Sequence, residues 1–289
     1  MLVIFNPAAG AGRRRRLSRA IDWLCREGLP PDVAETRAPG DARLIAADAA
    51  SRGESVIVAA GGDGTIAEVA AGIAGSAATL GILPLGTANV LALELGVPLA
   101  PEQAAAVLAA GTRRLIHPGL ITDEAGTQRL FVQMAGAGFD AAVVQGLDLG
   151  LKRRLGRAAY VIQAMREVAR HPFAPIEAVL DGTRHRAGSV IVTKGRLYAG
   201  RHLLAPAARP AAPGFQVALL DAGGPGAVVA AALALPLGLL PRLPGMRLLP
   251  ASRVTLSGPG VALQADGDPA GCLPARIEDA PAPLPILLP

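Results

Sequence analysis

The chain has 289 residues, 51% hydrophobic and 18% charged, which excludes a disordered tail and a coiled coil and suffices for one large or two ordinary domains. Its two cysteines, Cys25 and Cys272, lie far apart in no metal-like spacing, which argues against a disulfide scaffold and a zinc module and fits a reducing compartment. Arginine supplies almost all of the positive charge behind the formal +5, because Lys152 and Lys194 are the only lysines; nucleic acid, an anionic membrane surface and a phosphorylated substrate all stay open as partners.

Residues 2–5 read as a short apolar strand, too short for a targeting region, followed by the turn signal Asn6-Pro7-Ala8-Ala9-Gly10. Residues 13–26 form an amphipathic helix pattern, with Leu17, Ile21 and Leu24 at helical spacing. A second strand is expected at 32–36, an Ala-rich helix at 41–52 and a buried strand at 55–60. Residues 65–73 read as the next helix, 80–84 as a strand and 89–95 as a helix. This alternation predicts an α/β N-terminal domain with a mainly parallel, doubly wound sheet covered by helices.

The pattern changes after about Arg113. Short strands at 130–133, 176–179, 189–192, 216–219, 253–256 and 261–264 lie between Gly/Pro turns, with one helix at 157–170 among them. These predict a C-terminal, mostly antiparallel β-rich domain. The expected division is 1–115, 116–275 and a proline-rich tail, 276–289, packing back on the first domain. Prolines in 281–289 argue against a central strand or a helix interior. The longest apolar stretch, 227–240, is broken by Pro236 and Gly238 and is short for a bilayer span; an ordinary core helix is the expectation. A cytoplasmic protein follows from these readings.

The strongest chemical signal is Gly61-Gly62-Asp63-Gly64-Thr65, at a strand end before a helix. Glycines let backbone N–H groups approach an anion, and a helix N-terminus adds partial positive charge. The plainer alternative is a tight left-handed turn with Asp63 as helix N-cap. Two further loops leave strand ends in the same way: Pro84-Leu85-Gly86-Thr87-Ala88-Asn89, and Asn6-Pro7-Ala8-Ala9-Gly10-Ala11-Gly12 with Arg13 to Arg16 behind it. Neighbouring strand ends of a doubly wound sheet line one crevice, so three such loops describe a polyphosphate site. The arginine run reads equally as a phosphate contact or a solvated helix face. No P-loop, protein-kinase catalytic motif, dinucleotide fingerprint or nucleophile elbow occurs, and the four histidines lie in no ligand spacing.

Asn-Pro-x-x-Gly, Gly-Gly-Asp-Gly-Thr-x-x-Glu (Gly61 to Glu68) and Pro-x-Gly-Thr-x-Asn (Pro84 to Asn89), in this order, resemble the diacylglycerol kinase catalytic family. That family holds bacterial lipid kinases and sphingosine kinases and has the NAD kinases as relatives. The resemblance continues through Gly136-Ala137-Gly138-Phe139-Asp140, Gly156-Arg157-Ala158-Ala159-Tyr160, Ala205-Pro206-Ala207-Ala208 and Gln264-Ala265-Asp266-Gly267-Asp268, and so covers nearly the whole chain.

What the resemblance implies is an ATP- and Mg²⁺-dependent lipid kinase acting on diacylglycerol or a related lipid, with ATP held between an α/β and a β-rich domain. Gly61, Gly62, Asp63, Gly64, Thr65, Ile66, Ala67, Glu68, Gly86 and Thr87 would line the nucleotide site. Thr36 stands where the family places another nucleotide contact, and Asn6 and Asn89 would meet phosphate or ribose. Asp63 would organise Mg-ATP. The family's Asp-Gly-Glu proton acceptor reads Asp266-Gly267-Asp268 here, making Asp268 the base; taken alone, the same residues would be a β-turn. The implied partners are a lipid presented at a membrane surface, met peripherally at its inner face, and no nucleic acid; a homodimer is a compatible state.

Three departures stand out. Val90 replaces an Asp, Leu93 an Arg, and Ala211-Ala212-Pro213-Gly214 an Asp-Asp-Gly segment that helps hold a structural Mg²⁺ in some members, so no metal ligands are assigned. Together with Asp268 in place of Glu, the Val90 and missing Asp-Asp departures motivate one alternative, a catalytically silent nucleotide- or lipid-binding regulator; a soluble-substrate kinase of the NAD kinase type is a further alternative, against which the lipid-kinase landmarks of the second domain stand.

Overall fold

The computed structural model describes residues 1–7, 12–148, 150 and 157–289. The chain divides into two compact units, residues 1–116 with 281–289, and residues 117–280.

The first unit runs β1 (Leu2–Phe5), α1 (Arg13–Arg26), β2 (Asp32–Glu35), α2 (Asp41–Ser51), β3 (Val56–Gly61), α3 (Asp63–Ile73), β4 (Thr79–Pro84), α4 (Val90–Glu94), α5 (Pro101–Ala110) and β5 (Thr112–Ile116). Its sheet has the order β2-β1-β3-β4-β20-β5, where β20 is Leu284–Leu288. All neighbours are parallel except β20 and β5. Nearly every side chain of β1, β3 and β4 is buried, as a parallel strand covered on both faces requires. The core is built from small and aliphatic residues, with Phe5 the one aromatic among its fully buried strand residues. The chain steps from β1 outward to β2 and then back across β1 to β3. That reversal creates a switch point between β1 and β3, the place where open α/β sheets bind ligands.

The tail corrects one expectation. Despite its prolines, β20 lies inside the sheet, between β4 and β5. A proline removes a single donor, and successive residues of a strand address alternate neighbours. Pro285 is opposite Leu115 of antiparallel β5, and the pairing with β4 is reduced to one register pair, Ile286 with Leu80. Burial of Leu284 and Ile286 favours this interior place.

The second unit contains β6 (Gly119–Asp123), β7 (Gln128–Phe131), β8 (Met134–Gly138), α6 (Phe139–Gln145), α7 (Arg157–Val168), β9 (Ile176–Leu180), β10 (Thr183–Ala187), β11 (Ser189–Thr193), β12 (Leu197–Tyr198) and β13 (His202–Leu203). It continues with β14 (Phe215–Leu220), α8 (Pro225–Ala234), β15 (Met246–Ala251), β16 (Arg253–Ser257), β17 (Ala262–Ala265), β18 (Asp268–Cys272) and β19 (Ala275–Asp279). Two six-stranded antiparallel sheets, β10-β9-β16-β19-β6-β7 and β15-β14-β11-β8-β17-β18, share one hydrophobic core. Ile176, Val254 and Ile277 of one sheet pack there with Val190, Val217 and Leu263 of the other.

The stretch 227–240 is not a core helix. In α8, Ala231 and Leu235 behind it pack on a small cluster around Leu204 and Ala218, but Val229 and Leu233 stand exposed. Among the described residues, no helix is long and apolar enough to cross a membrane.

Candidate functional site

The C-terminal ends of β1, β3 and β4 lie side by side, with Phe5 opposite Ala60 and Gly61 opposite Pro84. The loops that leave them therefore start as neighbours. Of the first loop, residues 8–11 lie outside the described residues, as do Gly156 and its flank in the second unit. The Asn6 amide donates to Thr65 Oγ1 at 3.2 Å, joining the first loop to the second. The Leu85 N–H donates to the Gly61 carbonyl at 2.9 Å, joining the second to the third.

The glycines serve close approach rather than a left-handed turn. Gly62 has φ −97°, in extended backbone, and caps α3 without any side-chain bond. A Cβ on Gly86 would stand 2.5 Å from the Gly62 Cα and 2.6 Å from Asn89 Oδ1. A Cβ on Gly61 would stand 2.4 Å from Thr65 Oγ1. Only glycine lets the two loops touch backbone to backbone. We expect Gly86→Ala to force them apart, at a cost of about 1–3 kcal/mol, read as a fall in Tm together with weakened nucleotide binding.

Asp63 belongs to the first turn of α3 and is not its N-cap. Its carboxylate crosses to α4 and accepts the Leu91 N–H at 3.3 Å. Burial pushes this carboxyl above its ordinary value, and the N–H groups of Leu91, Val90 and Asn89 oppose the shift only in part. Asn89 adopts the left-handed conformation and donates to the Gly86 carbonyl at 2.9 Å. Its Oδ1 is buried and has no hydrogen-bond partner among the described residues. A buried acceptor without a donor is costly, and a ligand hydroxyl or an ion-bound water would satisfy it.

The four arginines behind the first loop have separate tasks. Arg14 grips Glu35 through two contacts, and Arg16 donates to the carbonyls of Pro84 and Leu99, both at 2.9 Å. Arg15 faces solvent. Arg13 is 8% exposed, and a Cβ on Gly62 would stand 4.0 Å from its guanidinium. No acceptor contacts Arg13 among the described residues. Burial, then the neighbouring Arg16, lower its proton affinity. A buried guanidinium facing a glycine loop, without a carboxylate, suits an anionic ligand.

Other expected nucleotide residues have structural occupations. Glu68 accepts the N–H groups of Gly40 and Ala42, at 2.9 and 3.1 Å, and so caps α2 from α3. Ile66 is fully buried, and its N–H donates to the Gly62 carbonyl. Thr36 is buried and donates its N–H to the Phe5 carbonyl. Gly64 and Ala67 are half-buried in α3, and Thr87 is exposed on the third loop. The spacing of motifs does not reveal Arg13 over its neighbours; only its burial does.

In the second unit, Asp266 and Gly267 form the two-residue turn of the β17–β18 hairpin, with φ +50° and +82°. The Asp266 carboxylate accepts the N–H groups of Val132, Gln133 and Met134, at 2.7, 2.8 and 2.9 Å. The Gly267 N–H donates to Gln264 Oε1 at 2.8 Å, and the Gln264 amide donates to Asp140 Oδ2 at 2.9 Å. Tyr198 donates its hydroxyl to the other oxygen of this buried carboxyl. Burial raises the proton affinity of Asp140 and of Tyr198. The turn is thus held from both sides, and Asp268 emerges from it as the first residue of β18, its side chain 42% exposed and 3.9 Å from Arg129. The turn expected of this tripeptide forms: it consumes Asp266 and leaves the Asp268 carboxylate outside.

The segment that departs from the Asp-Asp-Gly pattern meets a lysine. The Lys194 ammonium donates to the Gly214 carbonyl and to Asp279, both at 2.6 Å. The Ala212 carbonyl lies at 3.4 Å.

The family model for the diacylglycerol kinase catalytic domain matches residues 1–121, and the model for the YegS C-terminal NAD kinase beta sandwich-like domain matches residues 133–288. The chain is 34% identical over 287 residues to a Pseudomonas putida protein named probable lipid kinase YegS-like, covering 93% of this chain and 89% of that one. It is 30% identical over 291 residues to a diacylglycerol kinase of Mycobacterium tuberculosis, covering 98% and 93%. The crystal structure of a diacylglycerol kinase from Bacillus anthracis shares the fold, with a TM-score of 0.79 at 22% identity over 100% of this chain and 96% of that one.

Proposed function

The chain belongs to the diacylglycerol kinase catalytic family, and from that premise we propose that it is a lipid kinase that moves the γ-phosphoryl group of ATP to a hydroxyl of diacylglycerol or a related lipid. The observation that carries this reading is the backbone contact of Gly62 with Gly86 beside the buried Arg13 guanidinium, which meets no acceptor among the described residues, and the Asp63 carboxyl. Mg-ATP, when bound, supplies the phosphoryl group and the divalent charge that offsets its oxygens.

The chain's own groups then have distinct tasks. The opened glycine loops bring backbone close to the phosphates, and Arg13 neutralises part of their charge. Asp63 would hold the divalent cation, and the positive charge of that ion would offset the burial that disfavours the ionised carboxylate. Asn89 Oδ1 accepts a hydrogen bond from a ligand hydroxyl or a water. Asp268 takes the proton of the lipid hydroxyl as the new O–P bond forms and the bond to the bridging oxygen breaks, releasing ADP. Contact with the inner membrane face is peripheral in this reading.

Arg13→Gln is expected to remove a charge-assisted contact of about 1.5–3 kcal/mol, a rise of roughly tenfold to a hundredfold in the Kd for ATP. The Tm should not fall, because no acceptor is orphaned by the change. Isothermal calorimetry and a thermal melt on the same sample check both halves.

The direct test is transfer of labelled γ-phosphate from Mg-ATP to diacylglycerol, monoacylglycerol, ceramide and sphingoid bases in mixed micelles, with an NAD-only reaction alongside. Label in a lipid supports the proposal and names the acceptor. Asp268 is one methylene shorter than the family's Glu and lies near Arg129, which favours a silent regulator as the second reading. ATP binding with a blank lipid panel selects that reading, and label in NAD selects the soluble-substrate kinase.

A further inference from the structure

Residues 222–241 contain only Ala, Gly, Pro, Val and Leu, and they include α8. A helix that is apolar on every side is ordinarily buried. The inward side of α8 is packed, through Ala231 and the following Leu235, against the cluster that holds Leu240. The outward side is open: Val229, Leu233, Leu237 and Leu239 are 54%, 66%, 69% and 43% exposed. Val229 and Leu233 stand four residues apart on one side of α8, and Leu237 and Leu239 continue the exposed apolar surface in the turn that follows it. With 10 residues, α8 is about 15 Å long, half of what a bilayer span needs.

We propose that this face of the second unit is the surface by which the protein seats itself on an anionic bilayer, with α8 lying in the plane of the headgroups. Three observations select a bilayer over a second copy of the chain. The exposed apolar surface offers no side-chain donor or acceptor, whereas protein interfaces carry a polar rim with roughly one hydrogen bond per 100–200 Å². The formal charge of +5 repels a second copy and is attracted by acidic lipid, and the exposed Arg242 closes the apolar stretch at the level where headgroups would lie. The third argument rests on the proposed function: a diacylglycerol acceptor resides in a membrane, so its enzyme must meet one. Apolar insertion and charge act together in such contacts, and neither alone gives durable binding.

The test uses the full chain in co-sedimentation with phosphatidylcholine vesicles, with and without phosphatidylglycerol. The wild type should bind the acidic vesicles, less strongly as salt is added. Leu233→Asp/Leu237→Asp should reduce the bound fraction about tenfold or more, because binding scales with the buried apolar area. The same variant should keep the wild-type Tm and any transfer to a short-chain, dispersed diacylglycerol. Failure of the wild type to bind, or equal binding by the variant, overturns the proposal. So does a wild-type dimer in sedimentation velocity that the variant converts to monomer, since the occupant is then a second copy. Vesicle binding lost in the variant, with no phosphoryl transfer to any lipid by either protein, sustains the docking surface and sinks the kinase reading.

Discussion

Asp63→Asn is expected to lower lipid phosphorylation by at least about 10²-fold in kcat/KM while raising, not lowering, the Tm. The loss follows from replacing the acid that would hold the cation by a neutral amide of the same shape. The gain in stability follows from burial, which pushes the Asp63 carboxyl above its ordinary value. A group of this kind favours the folded state while protonated. Its contribution is fully present below the unfolded carboxylate value and is lost as pH rises through the higher folded value. At neutral pH the wild type therefore holds a carboxylate that its surroundings disfavour. Asparagine keeps an oxygen for the Leu91 N–H and carries no charge to desolvate. The Tm difference between variant and wild type should widen from acidic to neutral pH, and thermal melts across that range measure it. A lower Tm for the variant at every pH would show that the ionised carboxylate stabilises the fold. A site that sacrifices stability for chemistry is the expected pattern for a cation-binding acid.

Lys194→Met should be the most damaging single change in the second unit, about 3–5 kcal/mol. The Lys194 side chain is fully buried, and its partners come from separate parts of the sandwich. The lysine follows β11, Asp279 ends β19 of the other sheet, and Gly214 precedes β14. The ammonium also stands 4.5 Å from the centre of the Phe215 ring. Burial lowers the proton affinity of Lys194, and Asp279 works against that shift. Methionine fills the volume but leaves the Asp279 carboxylate, among the described residues, with the Gly214 N–H alone, at 2.6 Å, and strands two carbonyls. At 2–4 °C per kcal/mol the Tm should fall by about 10 °C. Lys194→Met/Asp279→Asn should recover part of this, because the penalty lies in an uncompensated, half-buried charge rather than in the loss of the pair. Additive effects in that double-mutant cycle would show that the two groups are not coupled.

Much of the first unit is legible without coordinates. Apolar runs at 2–5, 55–60 and 80–84 correspond to β1, β3 and β4, and the helix pattern at 13–26 is α1. The loops around Gly61 and Gly86 could be seen to share a sheet edge because parallel strands place their C-terminal ends together. In the second unit the strands at 176–179 and 189–192 were visible for their apolar runs. β10 was not, since its sequence, Thr-Arg-His-Arg-Ala, carries no apolar alternation and takes its strand form from pairing with β9. β18, with Pro269 and Gly271, is shaped the same way by β17. The exposure of α8 was equally hidden, because an apolar composition is the same whether a helix is covered or bare.

The class of each unit, the order of the motifs and the family to which they belong follow from local residue patterns alone. Strand and helix periods, glycine turns and motif spacing are properties of short stretches of neighbouring residues. The tertiary structure alone decided that residues 284–288 return to the middle of the first sheet, since burying Leu284 and Ile286 outweighs the donor lost at Pro285. It also decided that Arg13 rather than Arg14 or Arg15 faces the glycine loop, that Glu68 caps a helix, and that Asp266 holds the turn while Asp268 stays outside it. Each of these depends on which distant groups are left to share donors, acceptors and buried space once the chain has closed on itself, and no short stretch of sequence carries that information.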